Sequence, residues 1–158
     1  MLRRCARTEP WSPSRGRGAQ CGGGGEVIDT LPLLWWIGGY GSEFSTIDPR
    51  SADRWLSVVD DDECKLLVSA AVLIELPTLP GGNEMADAVT NCLLDHSDRF
   101  EILSVTYTVA EFANLLDPKL SPTRRAVGGT AMHASVPLMS ADGQLTWSIG
   151  LIYPYRVL

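Results

Sequence analysis

The chain has 158 residues, of which 45% are hydrophobic, and a formal net charge of −6 at pH 7. This length and hydrophobic content suit one domain, with or without a tail, that is long enough to bury a core. No apolar run approaches the roughly 18 residues that a membrane span needs, so we predict a protein without a membrane partner.

The charge is divided unevenly along the chain. Residues 1–25 carry five arginines and one glutamate, for a net charge of +4, whereas the remainder carries 8 basic and 18 acidic side chains, for a net charge of −10. An acidic domain binds nucleic acid poorly without a basic patch or a bound metal, because most of that affinity comes from neutralising phosphates. Its charge does suit a basic protein partner.

Residues 1–25 are predicted to form a disordered Arg/Gly-rich tail, and residues 26–158 a single domain. The tail holds Arg-Gly-Arg-Gly at 15–18 and four glycines at 22–25, without apolar periodicity. Three interpretations stay open: an RNA-binding arm, an organellar presequence, or an extension from a misplaced start codon. We favour the third, because the sequence from Glu26 to Asp29 reads like the natural start of a domain.

The four cysteines show no CxxC pair and no ligand spacing with either histidine. A zinc site or a disulfide framework is therefore not expected. We predict reduced thiols in a cytoplasmic protein, with Cys92 on the apolar face of a helix. The cysteines are Cys5, Cys21, Cys64 and Cys92.

Apolar runs alternate with helical patterns from Glu26 onward. Strands are predicted at 27–29, 65–69, 100–105 and 138–140, with an edge strand at 151–153. Helices are predicted at 33–37, around 55–59, at 72–75 and at 121–134. Two more are predicted with a cap: one up to Leu93 with Asn83 as its N-cap, and one at 108–116 with Thr108 and Glu111 as a capping box. Strands separated by helices predict a parallel sheet wrapped by helices.

Three acidic residues follow predicted strands. Asp29 ends the first strand, Glu75 lies a turn and a half beyond the second, and Asp142 follows the last. Because the carboxyl ends of parallel strands meet at one edge, we expect these side chains to converge. Converging carboxylates repel one another unless a cation lies between them, and Mg²⁺ or Mn²⁺ prefers oxygen ligands. This pattern predicts metal-assisted phosphodiester chemistry.

Each of these acids also has a simpler explanation. Asp29 could cap the helix that follows it, and Glu75 could be a solvated helix residue. Asp142 could start a turn, since Asp142-Gly143 is a strong turn dipeptide. Their joint placement favours the metal site, because chance would have to supply three coincidences.

Three motifs resemble the PIN domain family, and specifically the VapC-type toxins of bacterial toxin–antitoxin pairs. The run from Asp29 to Trp36 is similar to the D-T-H-A-L-L-W-W start of one subgroup. Ser69 followed six residues later by Glu75 matches the second signature. The helix at 121–131, followed by 137–142, resembles D-P-x-D-R-x-x-x-A-T-A followed by P-L-V-[ST]-x-D. The resemblance extends from residue 26 to roughly residue 155.

The resemblance implies a fold, an activity and partners. The fold would be a PIN-like three-layer α/β sandwich, with a mostly parallel central sheet of four or five short strands and helices on both faces. The activity would be Mg²⁺-dependent hydrolysis of RNA, with Asp29, Glu75 and Asp142 as catalytic metal ligands. Thr30 and Ser140 would orient those carboxylates. The partners would be an RNA substrate, a cognate antitoxin protein and a second copy in a homodimer.

The chain departs from the family pattern at two acidic positions. Ser121 and Arg124 replace the acids of the D-P-x-D-R stretch, and Arg124 falls on the third acid of the metal site. An arginine among three carboxylates would form bidentate pairs and compete with the metal. We therefore expect lower metal affinity and lower catalysis. Asp117 could substitute for the lost acid if its loop folds back.

Two further interpretations follow from these departures. The first is a degenerate, catalytically impaired PIN domain that retains only binding of an antitoxin or of RNA. Glycines at 128 and 129 favour such decay, because each costs a helix about 1 kcal/mol relative to alanine, and Pro32 also replaces a usual alanine. The second is an unrelated α/β domain whose acids bind no metal.

Overall fold

Four short apolar strands form the sheet. The structure, a computed structural model, describes residues 25–38, 55, 58 and 64–152. In this part of the chain the strands are β1 (Glu26–Ile28), β2 (Leu66–Ser69), β3 (Phe100–Leu103) and β4 (Leu138–Met139). Neighbouring strands are parallel, in the order β3-β2-β1-β4. β1, β2 and β4 are buried throughout, as expected for a parallel sheet covered on both faces.

The order of the strands places a crevice beside β1. Val27 lies opposite Leu67 of β2 on one side and opposite Leu138 of β4 on the other. The chain therefore leaves β1 towards one half of the sheet and returns to its other edge as β4. Ligand sites of open parallel sheets lie at such reversals, at the carboxyl ends of the strands.

Helices connect and cover the strands, which confirms the predicted PIN-like α/β fold with a parallel central sheet. A 3₁₀ turn (Leu76–Thr78) follows the second helix, and both described residues of the 55–59 prediction, Trp55 and Val58, are helical and buried. The helices are α1 (Thr30–Gly38), α2 (Ala70–Glu75), α3 (Gly82–Asp95), α4 (Tyr107–Ala113), α5 (Pro122–Ala134) and α6 (Gly143–Ile152).

Three local predictions are wrong. α4 begins without the Thr108 capping box, because the Thr106 hydroxyl caps it by accepting from the Val109 amide at 3.3 Å. α3 is preceded by Gly81 with φ of 97°, rather than capped by Asn83. The predicted edge strand at 151–153 is also wrong where it is described, because residues 151 and 152 end α6. Apolar runs this short do not separate strand from helix by periodicity.

The glycine pair of α5 has a packing role, so its interpretation as decay is wrong. A Cβ at Gly129 would lie 2.6 Å from the Val109 carbonyl oxygen and 2.9 Å from the Ala113 amide nitrogen, both in the backbone of α4. A Cβ at Gly128 would lie 2.7 Å from a methyl group of Leu116. The absence of side chains lets α4 and α5 approach closely, which outweighs the lower helix propensity of glycine.

Pro32 is not a defect of α1 either. It is the third residue of the helix, and the first backbone hydrogen bond runs from the Leu33 amide to the Asp29 carbonyl at 3.1 Å. The amide groups of a first helical turn have no partner within the helix, so the missing N–H of proline costs little there.

The cysteines correct another prediction. Cys64 and Cys92 each take part in a disulfide bond in the structure, so the prediction of reduced thiols is wrong for these two residues. Cys92 does lie on the buried side of α3, as predicted. Cys5, Cys21 and nearly all of the predicted tail lie outside the described residues.

No helix in the described ranges is both long and apolar enough to span a membrane.

Candidate functional site

Four charged side chains meet at the carboxyl edge of β1 and β4. We call Asp29, Glu75, Arg124 and Asp142 the charged cluster. Asp29 follows β1, Glu75 ends α2, Arg124 lies in the first turn of α5, and Asp142 precedes α6. The structure thus brings together the three acids singled out in the sequence. Their assignment as catalytic metal ligands remains a prediction.

Arg124 is hydrogen-bonded to all three carboxylates. Its Nη1 donates to Asp29 Oδ1 at 2.7 Å and lies 3.3 Å from Glu75 Oε2, while its Nη2 pairs with Asp29 Oδ2. Its Nε donates to Asp142 Oδ2 at 3.1 Å. The pair with Asp29 is bidentate, which is the strong and directional form of an arginine–carboxylate contact. The guanidinium therefore lies between the three acids.

The capped first turn of α5 sets the backbone position of Arg124. Ser121 caps the helix, because its hydroxyl accepts from the Arg124 amide at 3.3 Å, and Pro122 occupies the first helical position. The N-terminal end of a helix carries partial positive charge, which disfavours a cation. Glu75 is likewise disfavoured at the C-terminal end of α2. The contact between Arg124 and Glu75 offsets both of these costs.

Asp29 is the most deeply buried acid of the cluster, with 1% of its surface exposed. Its Oδ1 accepts from the Thr30 amide at 2.7 Å. Asp29 therefore contacts the start of α1, as expected if it caps that helix. Its Oδ2 accepts from the Ser140 hydroxyl. Asp29 thus combines a local role at the helix start with the ion pair to Arg124.

Glu75 is held by contacts on two sides. The Thr30 hydroxyl donates to its Oε2, so Glu75 is not a freely solvated helix residue. α2 itself is capped by Ser69, whose hydroxyl accepts from the Ala71 amide at 3.2 Å. The buried hydroxyl of Thr130 on α5 donates to Ser69 Oγ at 2.9 Å. This contact ties the helix that carries Glu75 to the helix that carries Arg124.

Asp142 divides its two oxygens between two tasks. Oδ1 accepts from the amides of Gln144 and Leu145, at 3.0 and 3.1 Å, and so caps the start of α6. Oδ2 faces Arg124. The Asp142 amide in turn donates to Ser140 Oγ at 3.0 Å. The carboxylate is held by groups other than Arg124, in keeping with its position at a helix N-terminus.

The electrostatics of the cluster favour a permanently charged arginine. Burial by itself lowers the pKa of Arg124, but the hydrogen bond and attraction to Asp29, then the attraction to Glu75 and the hydrogen bond to Asp142, raise it above its ordinary value. The formal charges of the four side chains sum to −2. Arg124 neutralises only part of the negative charge.

A cleft of about 270 Å³ opens over the cluster. Its apolar lining comes from leucines of α1 and of the loop after α2, which the sequence alone did not single out. Leu79 is separated from the acids by a turn, so no motif or periodicity points to it. The lining residues are Asp29, Thr30, Leu31, Leu34, Glu75, Leu79, Arg124, Ala141 and Asp142.

Asp117 does not replace the lost acid. Its Oδ1 accepts from the Lys119 amide at 2.9 Å in the loop between α4 and α5, and its amide bonds to Ser148. It does not line the cleft. Asp117 therefore does not supply the carboxylate that the family pattern has at the position of Arg124.

The donor set is chemically suited to a divalent metal, but the arrangement is not. Three carboxylates offer the oxygen ligands that Mg²⁺ and Mn²⁺ prefer. In the part of the chain that the structure describes, no group of three or more His, Cys, Asp or Glu side chains is arranged to hold a metal ion. Arg124 engages each carboxylate instead. With Arg124 in this place the residues do not fit the metal.

Several solved structures match the fold of this chain. The chain matches a chain of the crystal structure of VapBC2 from Rickettsia felis, bound to a DNA fragment from its promoter, with a TM-score of 0.52 and 12% identity over 78% of this chain and 92% of that chain. It also matches FitAcB from Neisseria gonorrhoeae, with a TM-score of 0.49 and 13% identity over 79% of this chain and 93% of that chain.

No family model and no curated protein matches the chain by sequence. At 12% identity the likeness to VapBC2 concerns the fold alone. The chain has a PIN-like fold, and the resemblance to the PIN domain family that its sequence predicts is confirmed at that level.

Proposed function

We propose that this chain is a PIN-type toxin-fold protein that binds a basic protein partner at its acidic cleft and does not hydrolyse RNA while Arg124 is in place. One observation carries the proposal: Arg124 is hydrogen-bonded to all three carboxylates. The chain then has a PIN-like fold and an acidic cleft, and it lacks the free carboxylates that metal-dependent hydrolysis needs.

The loss of hydrolysis follows from competition for oxygen atoms. A divalent ion would have to displace the guanidinium of Arg124, whose side chain is only 15% exposed and pairs with Asp29 through both Nη1 and Nη2. Leaving a charge unpaired in such a place is costly, because the interior solvates it poorly. The same argument favours retention of Arg124 in the cleft when a protein partner binds at its mouth.

A basic partner is supported by charge and by shape. The cluster has a net charge of −2, and the domain that surrounds it is acidic. The cleft adds the apolar side chains of Leu31, Leu34 and Leu79. Lysine and arginine side chains combine an aliphatic stem with a charged end, so they suit a cleft of this kind. The likeness of the fold to VapBC2 suggests an antitoxin as that partner.

A second candidate is the Mg²⁺-dependent ribonuclease that the sequence predicts. The convergence of Asp29, Glu75 and Asp142 at one edge of the sheet favours it. This function requires the guanidinium to leave the cluster. The RNA substrate, the divalent metal, the homodimer and the cytoplasmic location remain predictions.

RNA cleavage by the full chain separates the two candidates. We would compare the wild type with Arg124→Asp, Asp29→Asn and Arg125→Ala, each in Mg²⁺ and in EDTA. The proposal expects the wild type and Arg125→Ala to match the background of Asp29→Asn. Arg125 follows Arg124 on α5 but does not line the cleft, so it is the matched control. Cleavage by the wild type in Mg²⁺, lost in Asp29→Asn, would contradict the proposal.

Binding of a basic peptide tests the other half of the proposal. We expect an arginine-rich peptide to bind the wild type more tightly than a peptide of the same length with glutamine for arginine. The affinity should fall as salt is raised, because exposed charges are screened. Glu75→Gln should weaken binding, since it removes one charge that lines the cleft. Equal affinity for the two peptides would exclude the cleft as a basic-peptide site.

A further inference from the structure

The cluster contains its own cation, and we propose that Arg124 is the permanent counter-ion of this site in place of a divalent metal. The inference rests on the proposed function, because it concerns the same cleft. It makes two statements about the chain. The folded wild type neither needs nor binds a divalent ion at this site, and removal of the guanidinium opens a divalent-cation site formed by Asp29, Glu75 and Asp142.

The first argument is one of charge. Without Arg124 the three carboxylates would carry a charge of −3 in one small, partly buried region, which destabilises the ionised forms. Among the residues described as lining the cleft, Arg124 is the only positively charged one. No neighbouring lysine or arginine of the lining is available to replace it. A cation from solution is then the only other source of compensating charge in the cleft as described.

The second argument is that the carboxylates are positioned independently of Arg124. Asp29 is held by Thr30 and Ser140, and Asp142 is held by amides of α6. Glu75 is held by the Thr30 hydroxyl. A shorter side chain at position 124 leaves these contacts intact and vacates the space between the acids. The three carboxylates, which form no metal-holding group among the described residues while Arg124 lies between them, then have room to close on a hard cation.

The third argument concerns the helix that carries Arg124. A cation in the first turn of α5 is unfavourable with respect to the helix dipole, so the local structure does not explain an arginine there. Its long side chain instead reaches three acids that lie on other elements. The arginine is therefore held by the site rather than by its own helix.

The test compares binding of Mn²⁺ to the wild type, Arg124→Ala, Arg124→Gln and the control Arg125→Ala. Electron paramagnetic resonance would measure bound Mn²⁺, and thermal unfolding would be followed in EDTA and in rising Mn²⁺. For the wild type, and likewise for Arg125→Ala, we expect Mn²⁺ to leave the unfolding temperature unchanged from its value in EDTA. Arg124→Ala should unfold at a lower temperature in EDTA and recover as Mn²⁺ is added. Its affinity for Mn²⁺ should exceed that of the wild type by about tenfold or more.

Arg124→Gln keeps the test decisive if the alanine variant does not fold. Glutamine preserves much of the side-chain volume without the charge, and it should also gain Mn²⁺ binding. Adding Asp29→Asn to either variant should remove that binding. A folded Arg124→Gln protein with no more Mn²⁺ affinity than the wild type would overturn the inference, as would an equal stabilisation of the wild type by Mn²⁺. Failure of the proposed function would be seen separately, as RNA cleavage by the wild type.

Discussion

The two halves of α5 depart from the family pattern for different physical reasons. Its first turn carries Arg124, whose charge is balanced by acids on three other elements. Its middle carries Gly128 and Gly129, whose missing side chains leave room for Leu116 and for the backbone of α4, respectively. The first departure changes the chemistry of the cleft, whereas the second builds the core. A departure that suggests decay in the sequence is thus a requirement of packing at Gly129 and a change in the charge of the cleft at Arg124.

The largest effect on stability is expected from a substitution of Arg124, in the first turn of α5. Arg124→Ala leaves Asp29 buried without its bidentate partner, and breaking a buried ion pair from one side costs about 3 kcal/mol or more. Partial exposure of Glu75 and Asp142 reduces the contribution of those two pairs. Urea unfolding in EDTA measures the change. A loss below about 1 kcal/mol would show that the cluster is not a buried network.

In the middle of α5, substitution of Gly129 should change the free energy of unfolding in the direction opposite to that expected from helix propensity. Gly129→Ala places a Cβ against the backbone of α4, and we expect a loss of about 2 kcal/mol despite a propensity gain of about 1 kcal/mol. Gly150→Ala in α6 is the matched control, because nothing lies within 4 Å of its Cβ. That variant should be neutral or more stable by up to about 1 kcal/mol. If Gly129→Ala is stabilising, α4 and α5 do not pack as closely as described.

A hydrogen bond between Thr130 of α5 and Ser69, which caps α2, connects the helix that carries Arg124 to the helix that carries Glu75. Ser69→Ala removes the cap of α2 and the acceptor of the Thr130 hydroxyl, and should cost about 1–2 kcal/mol. A double-mutant cycle with Thr130→Val measures the coupling. We expect the two losses not to add, because the residues share one hydrogen bond. Strict additivity would mean that this contact does not tie the helix of Glu75 to that of Arg124.

The smallest effect is expected at an exposed ion pair. Lys65 Nζ lies 3.0 Å from Glu101 Oε2, and both side chains are 49% exposed. Lys65→Ala should change the free energy of unfolding by less than about 1 kcal/mol, because water screens such pairs. Denaturant unfolding beside Arg124→Ala gives the contrast. Similar losses of unfolding free energy in the two variants would contradict the expectation that the buried ion pairs of Arg124 contribute more than this exposed pair.

The sequence predicted the parts of the site that follow strands. Asp29, Glu75 and Asp142 could be placed at one edge because parallel strands share a direction. The charge reversal at Arg124 was also visible, although its contact with all three acids required coordinates. Leu79 could not be predicted as a lining residue, because its position depends on the turn that follows α2.

The errors in the fold come from contacts that the sequence does not show. Thr106 and Thr108 are both plausible helix caps, and only the geometry of the loop before α4 separates them. The role of Gly129 depends on the backbone of Val109 and Ala113 in another helix, so helix propensity alone suggested the wrong interpretation.

The central claim is that a guanidinium, rather than a metal ion, lies between the three acids. Anomalous diffraction from wild-type crystals grown in Mn²⁺ tests it most directly. The account predicts Arg124 hydrogen-bonded to Asp29, Glu75 and Asp142, with no anomalous peak between them. An Mn²⁺ peak bound by these carboxylates, with Arg124 turned to solvent, would contradict it.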